Sequence, residues 1–304
     1  MLFPALSFGY DRDNILVTNG AKQALYSLFQ VLCDPGDEVI LTRPCWVSFT
    51  EQIKLAGATP VQVEAAADFQ LDPECIARAV TARTCAILVN SPNNPTGAIY
   101  EPSALAETAR LAADRGIYLI SDEAYHAFTY DGREHHMVLA SSPDPRRVIT
   151  VRSFSKHFNM TGFRLGYVAA DKAIVLALAR LQSHLTGNVC SFAQYGALAA
   201  LRMDPAIVAQ RRAALQNRRD TAEALVRTLF PCSHGAGAFY LFPDVNACLR
   251  AGETSEDLAE RLLNRAGVAV VPGEAFHGPG HIRISYGIDE TLLRRAFKNI
   301  KEVL

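Results

Sequence analysis

Apolar positions follow two spacings along this chain. After Asn19, Gly20, Ala21 and Lys22, the residues Leu25, Leu28, Phe29 and Leu32 recur at helical spacing, so a strand ending near Thr18 runs into a helix. Short apolar runs at 38–41, 59–63, 85–89, 117–120 and 148–151 read as strands. Helices are predicted between them at 72–80 and at 102–116, the latter with Pro102 in its first turn and Gly116 as its C-cap. A further strand is expected over 164–169, beginning at Arg164. This alternation predicts an α/β fold. Helices of a different style follow at 172–183 and 192–201, then a long charged helix at 205–229 carrying Arg211, Arg212, Arg218, Arg219 and Asp220. The last hundred residues read as a βαβ-like unit, with strands at 237–242, 268–271 and 281–286 and helices at 255–266 and 289–304. Leu293, Ala296, Phe297, Ile300 and Leu304 share one face of the final helix.

Composition narrows the function classes. The 304 residues are 49% apolar and 20% charged, ordinary for a soluble globular protein and long enough for two domains. Thirty basic residues face 31 acidic ones, which gives neither a nucleic-acid footprint nor a polybasic membrane anchor. No apolar run spans a bilayer. The seven cysteines are scattered without a CxxC, as expected of reduced thiols in a cytoplasmic protein. Residues 1–10 are fairly apolar but carry no basic leader, so a signal peptide is not expected. No metal site is expected: His135 and His136 are adjacent but have no further ligand at a suitable spacing, and with Glu134 they read as solvated. Residues 130–133 read as a hairpin tip.

The richest chemistry lies at 153–166. Lys156 stands between Ser153 and Ser155, with Arg164 eight residues on and Phe154, Phe158, Met160 and Phe163 as apolar neighbours. A half-apolar pocket lowers a lysine's pKa and frees its amine as a nucleophile. Two hydroxyls and a guanidinium suit a phosphate. An amine able to form a Schiff base beside a phosphate cradle points to pyridoxal phosphate (PLP), although the spacing alone reads as readily as a loop lysine beside an arginine ion pair. The turn at Gly20-Ala21-Lys22 opens a helix whose free amides suit an anion, or is an ordinary helix cap. Asp122 ends an apolar strand and needs a cationic partner, such as a protonated pyridine nitrogen, or serves as a helix N-cap. Trp46, the only tryptophan, follows a strand's C-terminal end, where open sheets bind ligands. Asn94 is fixed in the run Asn90-Ser91-Pro92-Asn93-Asn94-Pro95-Thr96-Gly97. Arg283 lies within an apolar strand, where its guanidinium matches a carboxylate from a substrate or from an internal ion pair.

These stretches, and nearly the whole chain around them, resemble class I/II aminotransferases of PLP fold type I. Among these the chain is most similar to the prokaryotic-type aspartate aminotransferases, down to Trp46-Val47-Ser48 and Met160-Thr161-Gly162. The resemblance implies a mostly parallel large-domain sheet flanked by helices over 1–203, then a connecting helix and a smaller C-terminal α/β domain over 204–304. It implies that Lys156 carries PLP and moves the substrate's α-proton. Gly20, Ala21, Lys22, Ser153, Ser155 and Arg164 would hold the phosphate, Trp46 would stack on the ring, Asp122 would pair with the ring nitrogen, and Asn94 and Tyr125 would reach the 3-oxygen. Arg283 would take the α-carboxylate, with Asn94 and Phe239 beside it and Lys22 near a distal carboxylate. The implied reaction moves an amino group between an L-amino acid, aspartate favoured, and a 2-oxo acid by a ping-pong route, in a cytoplasmic homodimer whose segment 182–188, including His184, reaches towards the neighbouring subunit.

One departure stands beside this. Family members carry a further segment before the strand ending at Thr18, including a tyrosine that reaches the partner's phosphate; residues 1–13 do not match it, and Tyr10 lies too close to that strand. A PLP-binding remnant with little turnover, or a PLP lyase of the same fold, is the alternative expectation.

Overall fold

The computed structural model describes residues 9–304; the readings made of residues 1–8 lie outside the described residues. The first half alternates as the pattern requires. β1 (Ile15–Thr18) leads into α1 (Gly20–Leu32), β2 (Glu38–Arg43) into α2 (Val47–Leu55), and β3 (Thr59–Glu64) into α3 (Pro73–Ala79). Then come β4 (Thr84–Asn90), α4 (Pro102–Arg115), β5 (Tyr118–Asp122) and β6 (Val148–Ser153). A one-turn helix, α5 (Phe154–His157), carries Lys156, and β7 (Gly166–Ala169) follows. Seven strands form one sheet in the order β1-β7-β6-β5-β4-β2-β3. It is parallel except for β7, which runs antiparallel to both β1 and β6. The strand predicted from Arg164 begins only at Gly166, because Arg164 sits in the left-handed region at φ 51° and cannot continue a ladder.

Both faces of the sheet are buried. Leu25, Leu28 and Phe29 of α1 pack with Val39, Leu41, Leu88 and Ile149 on one face. Leu105, Ala109 and Ala112 of α4 pack with Ile40, Ile87, Val89 and Leu119 on the other. Burial of this kind stabilises by roughly 25 cal/mol per Å² of apolar surface, and it holds the C-terminal ends of β4, β5 and β6 side by side.

The chain continues through α6 (Lys172–Leu185), α7 (Ser191–Leu201) and the long α8 (Pro205–Val226). A second sheet has three short strands in the order β8 (Tyr240–Leu241), β10 (Ile282–Ser285), β9 (Val271–Pro272), with α9 (Ser255–Ala266) and α10 (Glu290–Val303) packed on it. β10 is antiparallel to both neighbours, so the βαβ crossover expected here skips one strand. The strands expected over 237–242 and 268–271 shrink to two residues each; before Tyr240 the backbone bonds instead to the loops after β4 and β5. The Gly237 amide donates to the Gly97 carbonyl at 2.8 Å, and that of Ala238 to the Phe128 carbonyl at 2.9 Å. This core also takes in Tyr125, Phe128 and Tyr130, which lie between β5 and β6.

His135 is not solvated as expected. Its side chain is 11% exposed and its Nε2 comes within 3.0 Å of the buried Glu123 carboxylate. Arg152 pairs with the same oxygen through Nε and Nη2, at 2.9 and 2.7 Å. Burial alone would raise the Glu123 carboxyl, but His135 and Arg152 outweigh it and hold the group at about 2. No helix among the described residues is long and apolar enough to cross a membrane.

Candidate active site

A cavity of about 480 Å³ lies at the C-terminal ends of β4, β5 and β6, where an open α/β sheet binds its ligands. Its walls include Ala21, Lys22, Trp46, Asn94, Asp122 and Tyr125. Ser153, Ser155, Lys156, Arg164 and Arg283 complete the set that the sequence singles out. Gly20 lies one residue behind Ala21, beneath Arg164.

Local sequence explains each placement. Gly20 adopts φ +78° at the start of α1, and a Cβ there would lie 2.8 Å from Arg164 Nη2. Arg164 is held by Nη1 donating to the Thr161 carbonyl at 3.0 Å. Asn19 forms no side-chain cap on α1, so the first-turn amides have no capping oxygen. A guanidinium is thus held against the positive end of a helix, an arrangement that only an anion relieves. The Ser155 amide donates to Ser153 Oγ at 3.1 Å, which turns the chain sharply after β6 and starts α5. Lys156 follows one residue later, half-buried, with Nζ 5.6 Å from the Phe239 ring centroid. Burial first, then the positive charges of Arg283 and Arg164, lower its pKa. Phe154 and Met160 pack away from this amine, against Leu165 and Val189, and Phe163 is half exposed, so the apolar wall beside Lys156 is Phe239 rather than its sequence neighbours.

Asp122 is 4% exposed and accepts from the Ala124 amide at 3.0 Å. Burial pushes its carboxyl up to about 7, and no cation among the described residues contributes to the shift. Asn90 joins this carboxylate's strand to the next loop: its Nδ2 donates to the Asp122 carbonyl at 3.1 Å and its Oδ1 accepts from the Asn94 amide at 3.0 Å. Arg283 Nη1 donates to Asn94 Oδ1 at 2.8 Å. Its guanidinium lies 4.5 Å from the Tyr240 ring centroid and 4.8 Å from that of Phe276. Its Nε has no partner among the described residues, and no carboxylate there pairs with it. Lys22 Nζ sits 4.9 Å from the Trp46 ring centroid, and Trp46 meets Phe49 edge-on at 5.3 Å.

The aromatic wall differs in one respect from the sequence reading. Phe239 lines an adjoining recess behind Lys156, with Arg211 and Arg218, whereas its neighbour Tyr240 faces the cavity. Tyr125 and Tyr240 share a hydrogen bond of 3.0 Å between their hydroxyls. Asn90, Ala124, Thr161 and Tyr240 are the cavity residues that sequence reasoning missed. The signal for Asn90 was available, since a polar amide closing an apolar strand needs partners. Strand alternation near 239–240 could not say which ring faces inward. His184 is exposed near the end of α6 and does not line the cavity.

The donor set fits PLP. An unpaired buried carboxyl suits a ring nitrogen that carries a proton, and a helix end with a guanidinium and two serines suits a phosphate. A lysine of lowered pKa between them suits an aldehyde.

Comparison with known proteins agrees. The family model of aminotransferase class I and II matches residues 6–300. A probable aspartate/prephenate aminotransferase of Aquifex aeolicus is 41% identical over 302 residues, covering 97% of this chain and 77% of the relative. The aspartate aminotransferase of Geobacillus stearothermophilus is 40% identical, covering 96% and 76%. The solved structure of Thermus thermophilus aspartate aminotransferase with maleate superposes with a TM-score of 0.93 at 40% identity, over 99% of this chain and 80% of that one. Fold, cavity and kinship converge: the chain belongs to the class I and II aminotransferases, the PLP-dependent enzymes that move an amino group between an amino acid and a 2-oxo acid.

Proposed function

We propose that this aminotransferase draws its amino group from a dicarboxylic L-amino acid, aspartate first. The observation that carries the reading is the charge of the cavity: Lys22, Lys156, Arg164 and Arg283 face a single carboxyl, Asp122. A phosphate uses Arg164 and the end of α1. Arg283 and Lys22 are then left for two carboxylates of one substrate. The aspartate aminotransferases among the relatives support the same choice.

Ser153, Ser155, Arg164 and the amides of Ala21 and Lys22 would hold the phosphate of PLP, Asp122 its ring nitrogen, Trp46 its face, and Asn94 and Tyr125 its ring oxygen. When bound, PLP supplies a carbonyl carbon that a primary amine can join and a cationic ring that takes up the electron pair left at the substrate's α-carbon. Arg283, oriented by Asn94 Oδ1, binds the α-carboxylate and fixes the α-carbon near Lys156. Lys156, its pKa lowered, takes the α-proton as a neutral amine and returns it as an ammonium, an action typically worth about 10²–10⁴-fold. Tyr125, tied to Tyr240, closes the side of the cavity that faces the second sheet.

The same proposal takes 1–203 and 204–304 as the two domains and a second copy of the chain as the partner. The partner reading is supported by Phe192 and Tyr195 of α7, which are 76% and 75% exposed. A cytoplasmic setting is supported by the seven free thiols.

The test is a half-reaction. Loaded with PLP and given L-aspartate without an acceptor, the protein should release oxaloacetate, and the Lys156→Ala variant should not. L-alanine should be the poorer donor by at least about tenfold in kcat/KM, the equivalent of roughly 1.4 kcal/mol. Equal or better use of alanine would overturn the dicarboxylate reading, and no oxo acid from either would overturn the roles assigned to the cavity.

A further inference from the structure

Cys33 and Cys85 are 52 residues apart in sequence, yet their sulfurs lie 3.5 Å apart. The contact is built by a fault in the sheet. β2 pairs with β4 through Glu38 and Thr84, then through Val39 and Ala86, so Cys85 is an extra residue in the ladder. A bulge re-aims its side chain. Strict alternation would put Cys85 on the face opposite Ala86, with Ile87; instead it packs beside Ala86, against the core that α1 covers. Cys33 is the residue that ends α1. The bulge therefore points one thiol at the other. Among the described residues no other pair of cysteine sulfurs is in contact.

The two thiols are unequal. Cys33 is 8% exposed, while Cys85 is half-buried and donates towards the Glu38 carbonyl at 3.4 Å. The hydrogen bond from Cys33 holds the Cys85 thiol below its ordinary value; the same bond, burial, and the acidic Asp37 and Asp34 hold Cys33 above its own. Cys85 is the more exposed of the two, so it is the thiol that a reagent in solution would meet first. Two sulfurs are too few for a structural metal, and no third metal-binding side chain joins them among the described residues. A disulfide needs the sulfurs at about 2.05 Å, so the contact must close by roughly 1.5 Å.

We propose that Cys33 and Cys85 are a redox pair that a small-molecule disulfide, such as oxidised glutathione, converts to an intramolecular disulfide. The Cys85 thiolate attacks one glutathione sulfur, forming a mixed disulfide and expelling glutathione thiolate. Cys33 gives up its proton and attacks Cys85 Sγ, expelling the second glutathione. Two protein thiols are oxidised, one glutathione disulfide is reduced to two glutathiones, and the two thiol protons leave with them. The product staples the end of α1 to the start of β4, on the side of the sheet away from the cavity.

The test is peptide mapping of the full chain after incubation with oxidised glutathione, with alkylation of the remaining thiols. The exposed Cys190 serves as the control that the oxidant is active. The unsubstituted chain should give a Cys33–Cys85 linked peptide that dithiothreitol removes. Cys33→Ser should leave Cys85 carrying glutathione, because the displacing thiol is gone. Cys85→Ser should leave Cys33 unmodified, slower than Cys190 by at least about 100-fold, as expected of a buried thiol. A linked peptide with this asymmetry supports the pair. Glutathione retained on Cys85 of the unsubstituted chain, both thiols left reduced while Cys190 reacts, or Cys33 modified in Cys85→Ser would overturn it.

Discussion

Arg283 Nη1 donates to Asn94 Oδ1 at 2.8 Å, joining β10 of the small sheet to the loop after β4 of the large one. The bond uses the amide's acceptor and leaves its NH₂ as a donor. It also holds a guanidinium that no carboxylate among the described residues neutralises. Asn94→Asp places a permanent carboxylate on that guanidinium, in competition with the substrate. KM for L-aspartate is expected to rise by about 10–100-fold, with a smaller change in kcat, since a hydrogen bond to a charged group is worth about 1.5–3 kcal/mol. Steady-state kinetics with both substrates varied checks this.

Lys22 lies over Trp46 on the cavity wall and has no carboxylate partner among the described residues. Lys22→Ala should therefore lower kcat/KM for L-aspartate by about tenfold, the value of roughly 1.4 kcal/mol, and leave L-alanine nearly unaffected. Equal losses on both amino acids would place Lys22 on the cofactor instead of the distal carboxylate.

Asp122 makes stability depend on pH in an unusual direction. Burial raises its carboxyl from 3.8 to about 7, so between those values the folded, cofactor-free chain keeps a proton that the unfolded chain has released. Stability from this group is therefore lost as pH rises through that window, by a few kcal/mol in all at about 1.36 kcal/mol per pH unit. Glu123, held at about 2, and His157, pushed down to about 4 by burial, act oppositely and weaken the fold as pH falls. Those groups are common to wild type and Asp122→Asn. The melting temperature of the Asn variant should climb relative to wild type from pH 5 to pH 8, and PLP should reverse the difference at neutral pH.

Glu123 and Arg152 each follow or precede a cavity residue, Asp122 and Ser153, and their ion pair ties the ends of β5 and β6 together. Arg152→Met leaves the Glu123 carboxylate buried with a main partner removed, which costs about 3–5 kcal/mol. Urea unfolding should show that loss. The double variant Glu123→Gln/Arg152→Met should recover part of it, because the buried charge goes too.

Gly20→Ala puts a methyl 2.8 Å from Arg164 Nη2 at a φ of +78°. Left-handed backbone costs a non-glycine residue about 1–2 kcal/mol, and the guanidinium must move as well. PLP affinity, read by equilibrium dialysis, should fall by at least about tenfold, while Gly9→Ala, where a Cβ meets nothing, should leave it unchanged.

Much of this molecule was legible before folding was considered. Helix periodicity at Leu25, Leu28 and Phe29, the caps at Pro102 and Gly116, and the apolar runs of β2, β4, β5 and β6 are local properties, and the structure keeps them within a residue or two. The residues expected at the cavity were also legible. Most stand at or just beyond a strand's C-terminal end or at a helix start, and the parallel strands bring those ends to one edge; Arg164, before β7, and Arg283, inside β10, join them only through the fold. The aminotransferase resemblance rested on the same segments.

Tertiary structure decided what depends on contacts between segments distant in sequence. The solvated reading of His135 failed because the partner that buries it, Glu123, is placed by the sheet and not by its neighbours in the chain. That Tyr240 faces the cavity while Phe239 lines the adjoining recess beside Lys156 could not be read in advance, because strands of two residues carry too little alternation to fix a face. That neither Arg283 nor Asp122 has an opposite charge beside it among the described residues, on which the chemistry rests, is likewise a property of the folded neighbourhood. Whether a charge is buried beside its opposite depends on which chains the fold brings within a few ångströms, and that distance appears only once the sheet is closed over its helices.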